Sequence, residues 1–204
     1  MANANRPSGL SPFLYKGSNS WNGMINTYYI PSTDTNAYAI GDPVKTLTGA
    51  ADSNGVSAVT IAVAGSSNVL RGVIVTMGGT LDGGPFGDPS NQFITVIPAT
   101  KAYGYYVGVV DDPDVTFECQ EFSGSGSTNF TAADIGKNVN LKSGTNNGYI
   151  SGWVLDDTAA STTANTGQVR LLGITRRSDN AFGSYCKFII GLNLHELNYQ
   201  SSGV

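Results

Sequence analysis

The chain has 204 residues, a formal net charge of −4 and 13% charged residues, against about 25% in typical soluble domains. Its lysines and arginines are few and scattered and form no basic stripe, which argues against a nucleic-acid partner. No apolar run approaches the ~18 residues of a membrane-spanning helix, and the N-terminus has no apolar signal core. We therefore expect no membrane partner, and synthesis and folding in a cytoplasm.

The N-terminal residues 1–24 are rich in Gly, Pro, Ser and Asn and show no hydrophobic periodicity. Chain ends of this kind are poorly ordered unless something holds them. We predict an extended N-terminal arm over residues 1–24 that a neighbouring subunit holds in place. Residues 198–204 are interpreted as a C-terminal tail.

Residues 25–197 carry the hydrophobic pattern of β-strands. Val, Ile, Tyr and Phe alternate with polar residues in short runs bounded by Gly, Asn, Asp or Pro. The pattern predicts a single all-β domain, either an antiparallel β-sandwich of jelly-roll type or a β-barrel, with a possible sub-boundary near 98–103. In chain order the predicted strands cover residues 27–30, 37–40, 43–47, 57–64, 69–77, 93–98, 103–110, 115–122, 137–141, 148–155, 168–174 and 184–194.

Helix signals are nearly absent from the sequence. In "TAADIG", residues 131–136, Thr131 is a good cap, Asp134 follows three residues later and Gly136 can end the turn. We predict one helical turn between strands. Two long loops, 78–91 and 155–167, are expected to be functional or to be ordered by partners.

The stretch "VVDDPDVTFECQEF", residues 109–122, concentrates five of the fifteen carboxylates of the chain: Asp111, Asp112, Asp114, Glu118 and Glu121. We interpret residues 103–122 as a hairpin whose turn is "DDPD", because Pro113 cannot continue a central strand and Asp side chains cap turns. Alternation after the turn predicts an inner face of Val115, Phe117 and Cys119 and an outer face of Thr116, Glu118 and Gln120.

Two functional interpretations compete with a turn at this stretch. Ca²⁺ prefers Asp-rich loops, which makes Asp111, Asp112 and Asp114 the metal candidates, although "DDPD" lacks the spaced ligands and Gly of known calcium loops. Catalysis would require two carboxylates that converge on one substrate atom, and Glu118 lies on a strand face away from the Asp cluster. We favour the turn and predict no catalytic residues and no cofactor.

The remaining chemically notable side chains have structural interpretations. Cys119 and Cys186 fall in alternating apolar runs and are predicted to be buried free thiols. His195 is the only histidine, so a histidine-based metal cluster has too few ligands, and we assign it a structural role. Core or cross-strand packing is favoured over an exposed sugar-binding row for the strand aromatics Tyr28, Tyr29, Tyr105, Tyr106 and Trp153.

Two blocks of the sequence resemble a known class of protein. The first is "YYIPSTDTNAYAIGDPV" (28–44), followed by "LRGVIVTMGG" (70–79). The second is "VVDDPDVTFECQE" (109–121), followed by "TAADIGKNVNL" (131–141) and "RLLGITRRSDNAFGSYCKFIIGLNLHEL" (170–197). Together they resemble the virion structural proteins that decorate or cement the heads of short-tailed bacteriophages.

The resemblance implies a non-enzymatic protein on the capsid exterior of a virion, where it would stabilise contacts between major capsid subunits. It implies the major capsid protein as a partner and self-association as a dimer or trimer, and it carries over no active-site residues. Two alternatives stay open: a carbohydrate-binding β-sandwich or adhesin module of the virion, and a structural component of the tail or neck. An enzyme such as a depolymerase is the least favoured.

Overall fold

The computed structural model describes residues 3–80 and 94–197, and its described strands form antiparallel sheets that are not closed into a barrel. The predicted all-β fold is therefore confirmed, in its sandwich form. The strands are β1 (Ser11–Tyr15), β2 (Asn26–Ile30), β3 (Tyr38–Ala39), β4 (Pro43–Thr46), β5 (Val59–Ile61), β6 (Gly72–Thr80), β7 (Val96–Ile97), β8 (Tyr105–Val110), β9 (Val115–Gln120), β10 (Asn138–Val139), β11 (Leu141–Lys142), β12 (Val154–Leu155), β13 (Val169–Ile174) and β14 (Lys187–Leu192).

Two five-stranded sheets and two strand pairs account for the described strands. The first sheet has the order β1-β9-β14-β13-β10, and the second has the order β2-β8-β6-β4-β5. Strands β3 and β7 form one pair, and β11 and β12 form the other. The second sheet thus comes from the N-terminal half of the chain, and the first from the C-terminal half together with β1.

The two five-stranded sheets share one hydrophobic cluster, and the second sheet has another. Phe117 and Phe188 of the first sheet are buried in the shared cluster together with Val73 and Val110 of the second sheet. The second sheet also buries Ile74 and Val107 in a separate cluster. Full burial of one such side chain stabilises the fold by about 1.5–3 kcal/mol. A shift of register by one residue would expose these side chains, so their burial fixes the register of the strands.

The predicted hairpin over residues 103–122 is wrong. Strand β8 lies between β2 and β6 in the second sheet, whereas β9 lies between β1 and β14 in the first. Both edges of each strand are already paired, so the two strands cannot pair with each other. Residues 111–114 therefore carry the chain from one sheet to the other.

The N-terminal residues contain a strand that the sequence pattern did not predict. Strand β1 pairs antiparallel with β9 at the edge of the first sheet, with Pro12 opposite Phe117. A proline weakens a strand signal but is tolerated at a sheet edge, which explains the omission. Part of the predicted arm is thus a strand held by its own chain.

The outer face of β9 is also less exposed than predicted. Thr116 and Gln120 are buried, because the N-terminal residues lie against them. The Thr116 hydroxyl donates to the Leu14 carbonyl at 2.7 Å, and the Arg6 backbone N–H donates to Gln120 Oε1 at 2.8 Å. Glu118 is only half-buried, as expected for an outer-face position.

Two of the four outer strands of the five-stranded sheets, β10 and β2, are bonded at their free edge by another segment of the chain. At the β10 edge, the Asn138 N–H donates to the Thr162 carbonyl at 2.8 Å, and the Thr162 N–H donates back to Asn138 at 2.9 Å. At the β2 edge, the Tyr29 N–H donates to the Ser57 carbonyl at 3.0 Å. Covered edges of this kind prevent strand addition.

The remaining loop predictions have mixed outcomes. The predicted helical turn is present as a 3-10 turn, Ala132–Asp134, with a capping box in which Thr131 and Asp134 bond each other's backbone. Part of the predicted loop 155–167 returns to cover β10, as described above. The predicted loop 78–91 begins inside β6, and its residues 81–91 lie outside the described residues, as does the tail 198–204.

Candidate functional site

The acidic stretch does not form one site. Asp112 caps the turn between the sheets, where its Oδ1 accepts the Asp114 N–H at 2.8 Å and its carbonyl accepts the Val115 N–H at 3.2 Å. Asp114 is exposed and pairs with Lys16 at 3.3 Å. The turn chemistry predicted for "DDPD" is thus correct, although the turn joins two sheets and not two paired strands.

The other three carboxylates of the stretch face different surroundings. Glu118 pairs with Lys187 at 3.4 Å and with Arg177 at 3.5 Å on the outer face of the first sheet. Asp111 and Glu121 are both buried, but in separate clusters. In residues 3–80 and 94–197, no group of three or more His, Cys, Asp or Glu side chains is placed to hold a metal. The calcium candidates Asp111, Asp112 and Asp114 are therefore not brought together as ligands.

Asp111 belongs to a cluster that we call the buried network: Tyr28, Arg71, Asp111 and Glu196. Asp111 Oδ2 accepts the Tyr28 hydroxyl at 2.6 Å and pairs with Arg71 Nη2 at 3.3 Å. Arg71 Nε donates to the Tyr28 oxygen at 2.7 Å, and its Nη1 lies 3.9 Å from Glu196 Oε2. Burial and the Asp111 carboxylate raise the pKa of Tyr28 to about 12, so the hydroxyl stays protonated and keeps donating.

His195 borders this network and has a structural role. Its backbone bridges Leu70, and its Nδ1 accepts the Leu197 N–H at 3.0 Å. Burial lowers the pKa of the imidazole, and the nearby Arg71 charge lowers it further. A neutral, buried ring fixed in this way packs residues 195–197 against the segment that leads into β6.

Both cysteines are free and buried, as predicted. Burial raises the pKa of the Cys119 thiol to about 12, and it has the same effect on Cys186. The thiolate is the reactive form of cysteine, so neither side chain is a nucleophile at neutral pH.

The strand aromatics do not form an exposed row. Tyr28, Tyr105, Tyr106 and Trp153 are all buried. Tyr29 is half-buried and packs across the strand pair on Tyr106, with ring centroids 5.6 Å apart. The predicted core and cross-strand packing is therefore what the structure shows, and these rings offer no platform for a sugar.

The surface that remains as a candidate site is built around the N-terminal residues, and we call it the N-terminal face. Residues 3–8 cross it, with residues 145–152 on one side and 177–187 on the other. Two grooves of about 360 and 510 Å³ flank the crossing, and both are lined by Arg6 and Lys187. The face is thus a broad, open surface with two grooves and not a single deep cleft.

Contacts within the chain fix the backbone of this face. The Asn3 side-chain amide donates to the carbonyls of Ala181 at 2.7 Å and Ser184 at 2.9 Å. The Leu10 N–H donates to the Gly41 carbonyl at 3.0 Å. Gly9 has φ +63°, and a Cβ there would lie 2.3 Å from the Gly41 oxygen, so the close approach requires glycine. These contacts hold the segment against its own chain, and the contact of the arm with a neighbouring subunit stays a prediction.

The side chains of the face combine positive charge with exposed apolar area. The Arg6 guanidinium makes no ion pair or hydrogen bond with any described residue, while Arg177 pairs with Asp179 at 3.1 Å. Two exposed aromatic side chains lie in the segments that flank the crossing, although neither lines a groove: Tyr149 is 68% exposed, and Phe182 is 43% exposed. Sequence reasoning missed these residues. Tyr149 falls inside the predicted strand 148–155, but the structure has strand there only over Val154–Leu155, so that prediction is too long and hid the exposed ring.

Comparisons with protein families, with curated proteins and with solved structures found no match for this chain. Within the described part of the chain, the structure contains no helix with the length and apolar character needed to cross a membrane. The functional argument therefore depends on the geometry of the chain itself.

Proposed function

We propose that this chain is a non-enzymatic structural protein of a virion, which binds the outer surface of a phage capsid and cements contacts between major capsid subunits. The observation that supports this proposal is the N-terminal face. It offers exposed aromatic rings and an unpaired guanidinium on a backbone that the fold already holds in place. Aromatic residues and Arg are the residue types enriched in protein interfaces.

The chemistry of the described residues supports a binding role over catalysis. The carboxylates of the acidic stretch are divided among a turn cap, surface ion pairs and two buried clusters. On the N-terminal face, Asp179 is the carboxylate that lines a groove, and it is paired with Arg177. A catalytic site needs an acid or base that converges with a second group on one reacting atom, and this face presents no such pair among its described groove-lining residues.

The fold also indicates the mode of binding. Because the β10 and β2 edges are bonded to other segments of the chain, we expect a partner to contact the preformed N-terminal face and not to add a strand at these edges. A preformed face loses little conformational entropy on binding, which favours tight association for a given contact area. Many copies on a symmetric shell would increase retention further.

The carbohydrate-binding alternative has less support, because four of the five aromatic residues it would use are buried. A tail or neck component could use the same face. It would differ from a cement protein in where it sits on the particle.

The test is binding of the purified chain to empty shells assembled from the major capsid protein of the same phage. Co-sedimentation should show saturable binding, and image reconstruction should place the chain on the shell exterior. The double substitution Phe182→Ser and Tyr149→Ser should weaken binding at least about tenfold, as loss of aromatic anchors does in other interfaces.

The matched control is Met24→Ser, which removes a 60% exposed apolar side chain outside the three segments of the N-terminal face. It should bind like the unmodified chain. Absence of shell binding, or a density located only at the tail or neck, would contradict the proposal. If the double variant bound as tightly as the unmodified chain, the N-terminal face would not be the surface that binds the shell.

A further inference from the structure

The second buried carboxylate cluster lies at the end of the first sheet, and we call it the oxygen cluster: the side chains of Glu121, Ser123, Ser127, Asn129 and Asp157. Glu121 directly follows β9, and one residue separates Asp157 from the end of β12. Both are fully buried, at 0% exposure. The other three side chains come from the intervening loop and are half-buried.

Hydrogen bonds hold both carboxylates in place. Glu121 Oε2 accepts the Phe130 N–H at 3.0 Å, and its Oε1 accepts the Cys186 N–H at 3.3 Å. Asp157 Oδ2 accepts the Ser123 N–H at 3.1 Å and also contacts the Ser127 hydroxyl. The negative charge of Asp157 acts on Glu121, so the two groups are electrostatic neighbours.

The cluster lacks positive charge. None of the ion pairs among the described residues involves Glu121 or Asp157. Carboxylates that are buried in folded proteins are normally paired with a cation or coordinate a metal, because removing the charge from water is costly. Two neighbouring carboxylates without a described cationic partner are therefore an exception that needs an explanation.

The cluster also has fewer hydrogen-bond donors than acceptors. The Ser123 hydroxyl carries one proton but contacts Glu121 Oε1 at 3.3 Å and Asn129 Oδ1 at 3.0 Å. The Ser127 hydroxyl likewise contacts both Asn129 Oδ1, at 3.2 Å, and Asp157 Oδ2. Each hydroxyl can donate to only one acceptor at a time, so it cannot satisfy both of the acceptor oxygens that it contacts.

A separate observation points to a missing ligand. Asp157 Oδ1 is buried and has no hydrogen-bond partner. It belongs to the carboxyl group whose Oδ2 is held in the cluster by two contacts. Buried acceptors in folded proteins are almost always satisfied, and those that are not need a specific cause such as an ion or a water.

We propose that the oxygen cluster binds one hard divalent cation, with calcium the best fit. Ca²⁺ takes six to eight oxygen ligands from Asp, Glu, Asn and water, at about 2.3–2.6 Å. Glu121, Asp157 and the Asn129 side-chain carbonyl are ligands of this kind. The half-buried loop side leaves room for water to complete the shell. The oxygens that now contact one another become ligands of one ion, which supplies the missing positive charge.

Such an ion would join three separate segments of the chain. Glu121 and Asp157 come from the ends of two strands, and Ser123 accepts the Tyr185 N–H at 2.7 Å. Tyr185 lines the smaller groove of the N-terminal face. A bound cation would therefore stiffen the loop that borders this face. The calcium site is independent of the capsid-binding proposal, and the calcium titration can fail or succeed whether or not the chain binds a capsid.

The experiment uses the full chain after treatment with a chelator, titrated with calcium by isothermal calorimetry and monitored by thermal unfolding. We expect binding at one site and an increase in Tm of roughly 5–10 °C at a calcium concentration of 100 times the Kd. No binding of calcium up to about 1 mM, the weak end of protein calcium sites, would overturn the proposal.

Asp157→Asn is the decisive variant. Its side-chain carbonyl can keep the contacts now made by Oδ2, while the negative charge and the Oδ1 ligand are lost, so calcium binding should weaken at least about tenfold. Asn129→Gly is a second variant, since φ is +50° at Asn129 and Gly tolerates that backbone, and it should also weaken binding.

The matched control is Asp156→Asn. Asp156 carries the same charge one position earlier, but its carboxylate lies 3.9 Å from Lys142 and contacts Thr158. This variant should bind calcium like the unmodified chain. Calcium binding of unchanged strength in both Asp157→Asn and Asn129→Gly would locate the ion elsewhere and overturn the assignment.

Discussion

Asp111 and Glu121 belong to one acidic stretch and both are buried, but their surroundings differ in charge. Asp111 lies in the buried network, where Arg71 pairs with it and approaches Glu196. Glu121 lies in the oxygen cluster beside Asp157, where no described cation pairs with either. Burial and the Asp157 charge raise the pKa of Glu121 to about 7.

The difference follows from the path of the chain. The stretch crosses from the second sheet to the first between these two residues, so they lie in different side-chain clusters. Asp111 lies next to Arg71, the residue that immediately precedes β6. Glu121 lies next to loops that supply hydroxyl and amide groups. A buried charge costs several kcal/mol unless it is compensated, so the two clusters should respond in opposite ways when charge is removed.

The largest effect is expected for Arg71→Met in the buried network. The change leaves Asp111 buried without its cation, and it also removes the bond to the Tyr28 oxygen. We expect a loss of about 3 kcal/mol in the free energy of unfolding, measured with urea. Arg177→Met is the control, because this arginine is 43% exposed and its surface pairs should contribute less than about 1 kcal/mol. Equal losses for the two variants would contradict the view that burial decides the cost.

A second test compares the same chemical change in the two clusters. Asp111→Asn should cost about 1–3 kcal/mol, because it weakens the pair with Arg71 and places an amide where Asn26 Nδ2 now donates at 2.8 Å. Asp157→Asn, in chelator, should cost less or should stabilise the protein, because it removes repulsion with Glu121. Urea unfolding of both variants measures the difference. If Asp157→Asn is the more destabilising of the two in chelator, the charge comparison is wrong.

Much of the fold could be predicted from short apolar runs and their alternation. Strand β9 alternates apolar and polar residues, while β8, β13 and β14 are rich in apolar strand-forming residues, and each of the four lies inside a predicted run. Strand β1 could not be predicted, because Pro12 interrupts its pattern and its register depends on β9. The pairing of β8 and β9 was wrong for a related reason. Alternation shows which face is buried, but it does not show which strand is the neighbour.

The candidate sites were less predictable than the fold. The turn role of Asp112 could be predicted because it is local, made with the backbone two residues later. The roles of Asp111 and Glu121 depend on Arg71 and Asp157, which are distant in sequence. No local signal distinguishes a buried carboxylate from an exposed one within a single acidic run. The exposure of Phe182 and Tyr149 likewise depends on loops that the pattern does not describe.

A smaller effect is expected at the capping box, where the carboxylate is charged but only partly buried. Hydrogen bonds from Ser161 and Thr131 and the nearby Lys137 outweigh burial and hold the pKa of Asp134 at about 2, below its usual 3.8. The carboxylate therefore stabilises the fold fully above pH 3.8, and this contribution is lost as the pH falls towards 2. Asp134→Asn should cost about 1 kcal/mol at pH 7 and almost nothing at pH 2. Unfolding free energies at both pH values test this, and a loss independent of pH would contradict it.

The smallest effect is expected at Asp114, the exposed member of the acidic stretch. Its carboxylate is 70% exposed and pairs with Lys16, which is 41% exposed. Solvent screens such a pair, so Asp114→Asn should change the free energy of unfolding by at most about 0.5 kcal/mol. A double-mutant cycle with Lys16→Met measures the pair itself and should give a coupling of the same size. A coupling energy as large as the loss expected for Arg71→Met would mean that burial does not determine how much an ion pair of this stretch contributes to stability. The comparison of the two buried clusters assumes that it does, and would then be wrong.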